Sequence, residues 1–353
     1  MLQKIFLLLA LSFSSFAQIR VLNEQNQLPI EGVEVYTING TLVGLSNFNG
    51  EIALGSTEAY HFSHFLYESK TGRSTPQVYL KPRSIQLEEI QVKSNKRKKG
   101  VLLKGYFRSF QFRNDSLELF SDGEIEVLVP SNPNKSVEYK HIQQRNLTGI
   151  LFKMAFTGKA MALGIRITFP PILELIRTRD LQASAQALNT RQDSVALIQA
   201  ETNIRWGQVN RINPNLHQVA IHQYPLKIPY VLKSLGMESH ILVNDEESIA
   251  QVNNRENLDP IQFIYHKNVH KIDFKAKGKS SFDLYHSITE FFIDSAEIET
   301  GNEKGFSKRT TLSNVSRFTE PYWEKAASHP NFKPLPKAIE EEINRQMKEN
   351  QWP

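Results

Sequence analysis

The sequence predicts an all-β sandwich as the N-terminal domain, followed by an α+β domain with an antiparallel sheet. Three observations lead to this fold class: short strand patterns between turn residues up to residue 92, a basic polar stretch at 93–100, and strand, helix and again strand patterns over 101–353. The chain has 353 residues, 40% hydrophobic and 22% charged, with no cysteine. This composition is typical of globular protein, and it excludes disulfides and cysteine-ligated metal sites.

The first 17 residues, MLQKIFLLLALSFSSFA, have the features of a secretory signal peptide. Lys4 precedes an apolar run at 5–11, and Ser15 and Ala17 give the small-x-small pattern that signal peptidase recognises. The run is too short to cross ~30 Å of hydrocarbon. We therefore expect cleavage after Ala17 and export. Export without cysteine favours the bacterial periplasm or the periplasmic face of the outer membrane, where nucleic acid is not a partner.

Residues 18–92 contain short strand patterns separated by turns, as in an all-β sandwich. The segment 33–36 alternates with period two, and segments 41–45 and 51–54 follow it as further strands. Asn39-Gly40 between the first two is a strong hairpin signal, because both central residues of a type I′ turn need positive φ.

The same segment resembles a known family. The stretches LPIEGVEVYTINGTLVGLSNFNGEIAL, FSHFLYESK and SIQLEEIQV are similar to the carboxypeptidase-regulatory-like domain, a transthyretin-like sandwich of exported Bacteroidota-type proteins. The positions that match are Pro29, Gly32, Val33, Val35, Ser46, Asn49 and Gly50. The resemblance implies a non-catalytic domain at 18–92 with a role in folding, spacing or docking.

A basic linker at 93–100 separates the two predicted domains, and its charges are concentrated in Lys96, Arg97, Lys98 and Lys99. Two interpretations stay open. A solvated interdomain linker has this composition, and a peripheral contact with anionic lipid gains ~1 kcal/mol per basic residue.

The second domain begins with an aromatic strand pattern at 106–112. Turn residues at 114–116 and 121–124 separate it from further strand patterns at 117–120 and 125–129. Three strands joined by tight turns predict an antiparallel meander.

Apolar, alanine-rich segments with helical spacing then predict helices at 151–167 and 172–188, followed by more strands. The later strand patterns lie at 195–198, 203–206, 217–222, 261–265, 269–276, 281–286 and 289–298. The tail at 336–350 predicts a helix with Ile339, Ile343 and Met347 on one stripe. This order predicts helices on one face of an antiparallel sheet.

No catalytic, cofactor or metal site is predicted. His266 and His270 are four residues apart, which suits zinc on a helix, but a strand holds them about 13 Å apart, so surface histidines are predicted. No nucleophile elbow, phosphate loop or dinucleotide motif is present in the sequence.

Aromatic residues supply one face of the predicted sheet. They form either a packed core or the lining of an apolar ligand site beneath the helices of 150–190, with Phe110, Phe112, Phe274 and Phe282 as the lining candidates. The predicted function is an exported non-enzymatic binding or scaffold protein of the bacterial cell envelope, with an outer-membrane or envelope protein as partner. The alternatives are a periplasmic carrier of an apolar ligand and a hydrolase with its site in residues 101–353.

Overall fold

A computed structural model of the chain describes residues 17–55, 59–86, 100–114, 116–132, 135, 137–148, 185–186, 194–199, 204–222, 229–234, 236–251, 262–299, 305–306, 316–329 and 331–349. These residues fall into two compact units. The first unit contains the described residues up to Ile85 together with Lys333–Glu342. The second contains those from Gln86 to Phe332 and from Ile343 onward.

The first unit consists of two small sheets. The strands are β1 (Ala17–Asn23), β2 (Glu34–Thr37), β3 (Leu42–Leu45), β4 (Glu51–Leu54), β5 (Ala59–His64), β6 (Tyr67–Arg73) and β7 (Gln77–Leu80). The sheet orders are β4-β1-β7 and β3-β2-β5-β6. Apolar side chains from both sheets are fully buried, among them Val21, Val35, Leu54 and Phe62. The predicted all-β structure of this segment is thus present.

Glycines at two turns let these short strands pair. Gly40 has φ 88° at the end of the turn that joins β2 to β3, so the predicted hairpin is present. Asn39 does not have positive φ, and the amide of Gly40 donates to the carbonyl oxygen of Thr37, so the predicted type I′ turn is wrong. Gly50 has φ 72°, and a Cβ there would lie 2.4 Å from the carbonyl oxygen of Val21. Only glycine therefore fits the approach of this turn to β1.

The second unit is built around one large antiparallel sheet. Its strands are β8 (Gly100–Arg113), β9 (Ser116–Pro130), β10 (Glu138–Thr148), β11 (Ala185–Gln186), β12 (Ser194–Gln199), β13 (Ile204–Asn213), β14 (Leu216–His222), β15 (Tyr230–Ser234), β16 (Met237–Gln251), β17 (Phe263–Lys275) and β18 (Asp283–Glu299). Their order is β10-β9-β8-β18-β17-β16-β14-β13-β12-β11, with β15 on β16. The antiparallel sheet predicted for this part of the chain is confirmed, and the described residues are mostly β-strand.

The predicted three-stranded meander is wrong in one place. The chain turns at Asn114, which has φ 45°, but the predicted turn at 121–124 lies inside β9. Asp122 forms a salt bridge with Arg145 on β10. Gly123, which has no side chain, lets the backbone of β9 approach β10 closely. These tertiary contacts override the local turn preference of Ser-Asp-Gly, so two long strands form where three short ones were expected.

The predicted helices at 151–167 and 172–188 lie outside the described residues, except for Ala185 and Gln186. These two residues form strand β11 and pair with β12, so the helix prediction is wrong for them. The described helices follow the sheet in the chain: α1 (Tyr322–Ser328) and α2 (Lys337–Glu349). The predicted tail helix is confirmed as α2, with Ile339 and Ile343 buried.

Side chains alternate between the two faces of the large sheet. One face, called here the apolar face, carries the main hydrophobic cluster, which includes Leu103, Phe107, Val127, Phe291 and Ile293. The opposite face, called here the charged face, carries the residues that alternate with them.

Candidate functional site

Six charged side chains of alternating sign lie side by side on the charged face, one on each of six neighbouring strands. The backbone register places Arg145 opposite Asp122, Asp122 opposite Arg108, Arg108 opposite Glu290, Glu290 opposite Lys267, and Lys267 opposite Glu247. All six are buried. We call this set the charge row. At ~4.8 Å between strands it spans about 24 Å of the sheet.

The first pair of the charge row is a bidentate salt bridge. Arg145 Nε donates to Asp122 Oδ1 at 2.9 Å, and Nη2 donates to Oδ2 at 2.5 Å. Helix α1 covers this pair: the Tyr322 hydroxyl lies 2.8 Å from the carbonyl oxygen of Asp122, and the Trp323 ring lies 4.1 Å from the guanidinium. Burial and the adjacent carboxylate raise the pKa of Tyr322, so its phenol stays protonated.

The middle pair is the most deeply buried. Arg108 Nε donates to Glu290 Oε2 at 2.5 Å, with side-chain exposures of 3% and 0%. The Tyr265 hydroxyl donates to the other carboxylate oxygen at 2.7 Å. The guanidinium lies 5.1 Å from each of the Phe292 and Phe332 rings. Aromatic rings thus take the place of water around this arginine.

The third pair joins Lys267 and Glu247. Lys267 Nζ lies 2.6 Å from Glu247 Oε2, with side-chain exposures of 2% and 5%. Gln218 on β14 donates from Nε2 to Glu247 Oε1 at 2.7 Å. Gln218 therefore continues the row of hydrogen bonds onto β14, one strand beyond Glu247.

The charge row is suited to fixing strand register. Its three cations attract its three anions, and this attraction offsets the desolvation penalty of burying them. A slip of two residues keeps the apolar side chains on their face but places Arg108 opposite Ile288 or Phe292 rather than Glu290. Such a slip leaves buried charges without their partners, so the row selects one register among those that hydrophobic patterning allows.

His266 is buried and His270 is half-buried on the apolar face, so the prediction of surface histidines is wrong for His266. Both lie on β17, and His266 Nδ1 is 2.7 Å from the Ser248 hydroxyl on β16. Burial lowers the pKa of His266 to about 3 and that of His270 to about 4. In the part of the chain that the structure describes, no group of three or more His, Asp or Glu side chains is placed to hold a metal ion.

Ser248 and His266 are residue types that serve as nucleophile and base in hydrolases, but here both side chains are buried inside the sheet. Ser248 is 1% exposed and His266 is 6% exposed, and both lie within strands that are paired on each side. At 1% exposure the Ser248 side chain is not open to a substrate in this conformation. The pair therefore acts as a buried hydrogen bond between neighbouring strands.

The structure does not bring the four predicted ligand-lining phenylalanines together. Phe110 and Phe112 lie on the charged face, with ring centroids 5.9 Å apart. Phe274 lies on the apolar face, 6.3 Å from the Tyr285 ring. Phe282 precedes β18 and packs against His240 at 4.6 Å. The other predicted site residues, Lys96, Arg97, Lys98 and Lys99, lie outside the described residues.

Sequence reasoning missed the charge row, although some of its members share a signal. Two of the six are single charges next to a large aromatic residue within a strand pattern, Arg108 in YFRSF and Glu290 in ITEFF. A charge that falls between large apolar residues of a strand pattern indicates burial against a partner, because unpaired charges are rarely buried.

None of the described helices is both long and apolar enough to span a membrane. No family model matches the chain, and no curated protein matches it. Among solved structures, the chain is similar to one titled "Lipid-protein interactions in lipovitellin", at 7% identity and a TM-score of 0.29. The similarity covers 67% of this chain and 28% of that chain, so this chain spans less than a third of the lipovitellin structure.

Proposed function

We propose that this chain is an exported, non-enzymatic scaffold or binding protein of the bacterial cell envelope, with the large sheet as its rigid platform. The observation that carries the proposal is the charge row. All six buried charges have partners of opposite sign in one strand register. A local distortion of the sheet would separate at least one pair, at a cost of several kcal/mol. A sheet held in this way keeps a fixed surface for a partner.

The dimensions of the sheet support the same proposal. Strands β8 and β18 have 14 and 17 residues, which corresponds to roughly 45–58 Å. Helix α1 covers part of the charged face through Tyr322 and Trp323, so the row is protected from water there. Long strands with a buried, mutually neutral polar row favour a mechanical role over a mobile catalytic one.

The compartment and partner are proposed from the sequence. The signal-peptide features of residues 1–17 support an assignment to the periplasm or the periplasmic face of the outer membrane. The basic residues 96–99 are suited to contact anionic lipid or an acidic patch on an envelope protein. The family that residues 18–92 resemble implies a docking role consistent with this assignment.

The test combines an activity panel with a size measurement. The mature protein should hydrolyse no member of an ester, peptide and glycoside panel, and after gentle membrane extraction it should migrate with a partner above its own mass. Ser248→Ala is the matched variant, because Ser248 and His266 form the buried serine–histidine pair described above. Hydrolysis by the wild type that is lost in Ser248→Ala would overturn the proposal in favour of a hydrolase.

A periplasmic carrier of an apolar ligand is the second candidate, and the apolar face favours it. The hydrophobic cluster on this face extends from Val101 on β8 to Val219 on β14. In a carrier, Phe107 and Phe291 on that face would contact the ligand. An envelope lipid extract should then raise the melting temperature of the mature protein, since a ligand that binds the native state stabilises it. No shift, together with a full core penalty of ~3–5 kcal/mol for Phe107→Ala, would exclude the carrier.

A further inference from the structure

The chain enters the first unit twice. After contributing its N-terminal strands, it returns with residues Lys333–Glu342, which are part of that unit. This segment, KPLPKAIEEE, contributes no strand to either small sheet. We call it the clasp. It is held by side-chain contacts rather than by a β-ladder, so no strand pair of the unit includes the clasp.

A buried ion pair attaches the clasp to strand β2. Lys333 Nζ donates to both carboxylate oxygens of Glu34, at 3.0 and 2.9 Å, and the two side chains are 2% and 1% exposed. The Tyr36 hydroxyl donates to the same carboxylate at 2.9 Å. Because a buried carboxylate without a cation is costly, Glu34 is a specific receptor for an ammonium group.

The backbone of the clasp is restricted before it binds. Proline disfavours the helical conformation of the residue before it, so Pro334 and Pro336 hold Lys333 and Leu335 extended. Pro336 then begins a helical turn, with its carbonyl oxygen accepting hydrogen bonds from the amides of Ile339 and Glu340. A segment with so little freedom loses little entropy on docking, as in other proline-rich recognition peptides.

The first helical turn of the clasp fits closely against the β2–β3 hairpin. A Cβ at Gly40 would lie 3.4 Å from both Ala338 Cβ and Ile339 Cγ1, and Ile339 is 1% exposed. The hairpin turn therefore offers a small apolar seat for Ile339, six residues along the clasp from Lys333. Lys333 thus contacts the Glu34 carboxylate and Ile339 contacts the apolar seat, with Pro334 and Pro336 between them in the clasp.

We propose that the first unit carries a peptide-docking site and that the chain's own residues 333–342 occupy it as a separable ligand. The site recognises a buried lysine, a short extended proline segment and an apolar helical turn. When the clasp is released, the same site takes the equivalent segment of a second copy. This inference stands independently of the proposed scaffold function.

The test is a peptide-exchange assay on the full mature chain. A fluorescein-labelled peptide of residues 331–344 is titrated into the wild type, Lys333→Met and Lys337→Met, with binding followed by anisotropy. Lys333→Met weakens the internal clasp but leaves Glu34 for the peptide, so it should bind at least tenfold more tightly than the wild type. Lys337, an exposed lysine of the same segment, is the matched control and should behave as the wild type. A peptide in which Lys333 is replaced by Met should bind the Lys333→Met protein no more tightly than it binds the wild type.

Equal binding to the wild type and to folded Lys333→Met would overturn the proposal. Hydrogen exchange on the wild type gives a second readout that needs no variant. The amides of 339–342 should exchange together and faster than those of β2 and β5, because the clasp opens while the sheets stay paired. Exchange of these amides only with the whole unit would also overturn the proposal.

Discussion

The histidines buried in the large sheet should make the protein lose stability in mild acid. His266 is 6% exposed and His286 is 4% exposed, and burial lowers the pKa of each to about 3. Their pKa in the unfolded chain is about 6.5. Because the folded value is the lower one, the stability tied to their neutral form is complete above pH 6.5 and is lost as pH falls from 6.5 toward 3.

The size of this loss follows from the interval between the unfolded-state pKa and the working pH. At pH 5, about 1.5 units below the unfolded-state pKa, a histidine of the unfolded chain is protonated, whereas the buried histidine of the folded chain stays neutral. Each such histidine therefore lowers the free energy of unfolding by ~2 kcal/mol. Together His266 and His286 should lower the free energy of unfolding by ~4 kcal/mol between pH 7.5 and pH 5, a large part of a typical ~5–15 kcal/mol.

The assay is urea unfolding at pH 7.5 and pH 5, followed by circular dichroism. His266→Gln and His286→Gln do not titrate, so each should reduce the difference between the two pH values by ~2 kcal/mol. The control is Ser109→Ala, which removes a buried hydroxyl hydrogen-bonded to Thr289 and should lower stability equally at both pH values. If both glutamine variants keep the full pH dependence of the wild type, then other groups make the protein acid-sensitive.

Three further changes test the large sheet by urea unfolding at pH 7.5. Lys267→Met should cost ~3–5 kcal/mol because it leaves Glu247 buried without its cation, and adding Glu247→Gln should recover most of the loss; no recovery would contradict a paired charge row. Tyr322→Phe should cost ~1–3 kcal/mol by removing a hydroxyl bonded to the row, and an unchanged midpoint would mean that α1 does not cap it. Gly123→Ala should cost ~1–3 kcal/mol, since its Cβ would lie 2.2 Å from the Gln143 carbonyl oxygen; a neutral effect would refute that close approach.

Several features of the fold could be predicted from the sequence because their causes are local. Gly40 supplies the positive φ that closes the β2–β3 hairpin, and Asn114 marks the turn between β8 and β9. The stripe of Ile339 and Ile343 predicts helix α2 to within a residue at each end. Period-two alternation also indicates correctly that residues such as Phe110 and Phe112 share a face.

Other strands could not be recognised locally. Strand β16 contains the acidic run Asp245-Glu246-Glu247, which has low strand propensity, yet it pairs along most of its length with β17. Asp122 and Gly123 read as a turn and lie in a strand. In each case a charged side chain has a buried partner on a neighbouring strand, and that contact outweighs the local preference.

The sequence by itself determined the strand-rich character of the chain, its tight turns, its tail helix and the alternation of faces, since all of these depend on residues close together in the chain. The tertiary structure alone decided which residue lies opposite which. Arg108 meets Glu290 and Lys333 meets Glu34 across separations of 182 and 299 residues. Alternation fixes the face of a side chain but not its partner, because registers two residues apart present the same apolar face and differ only in which buried charges meet.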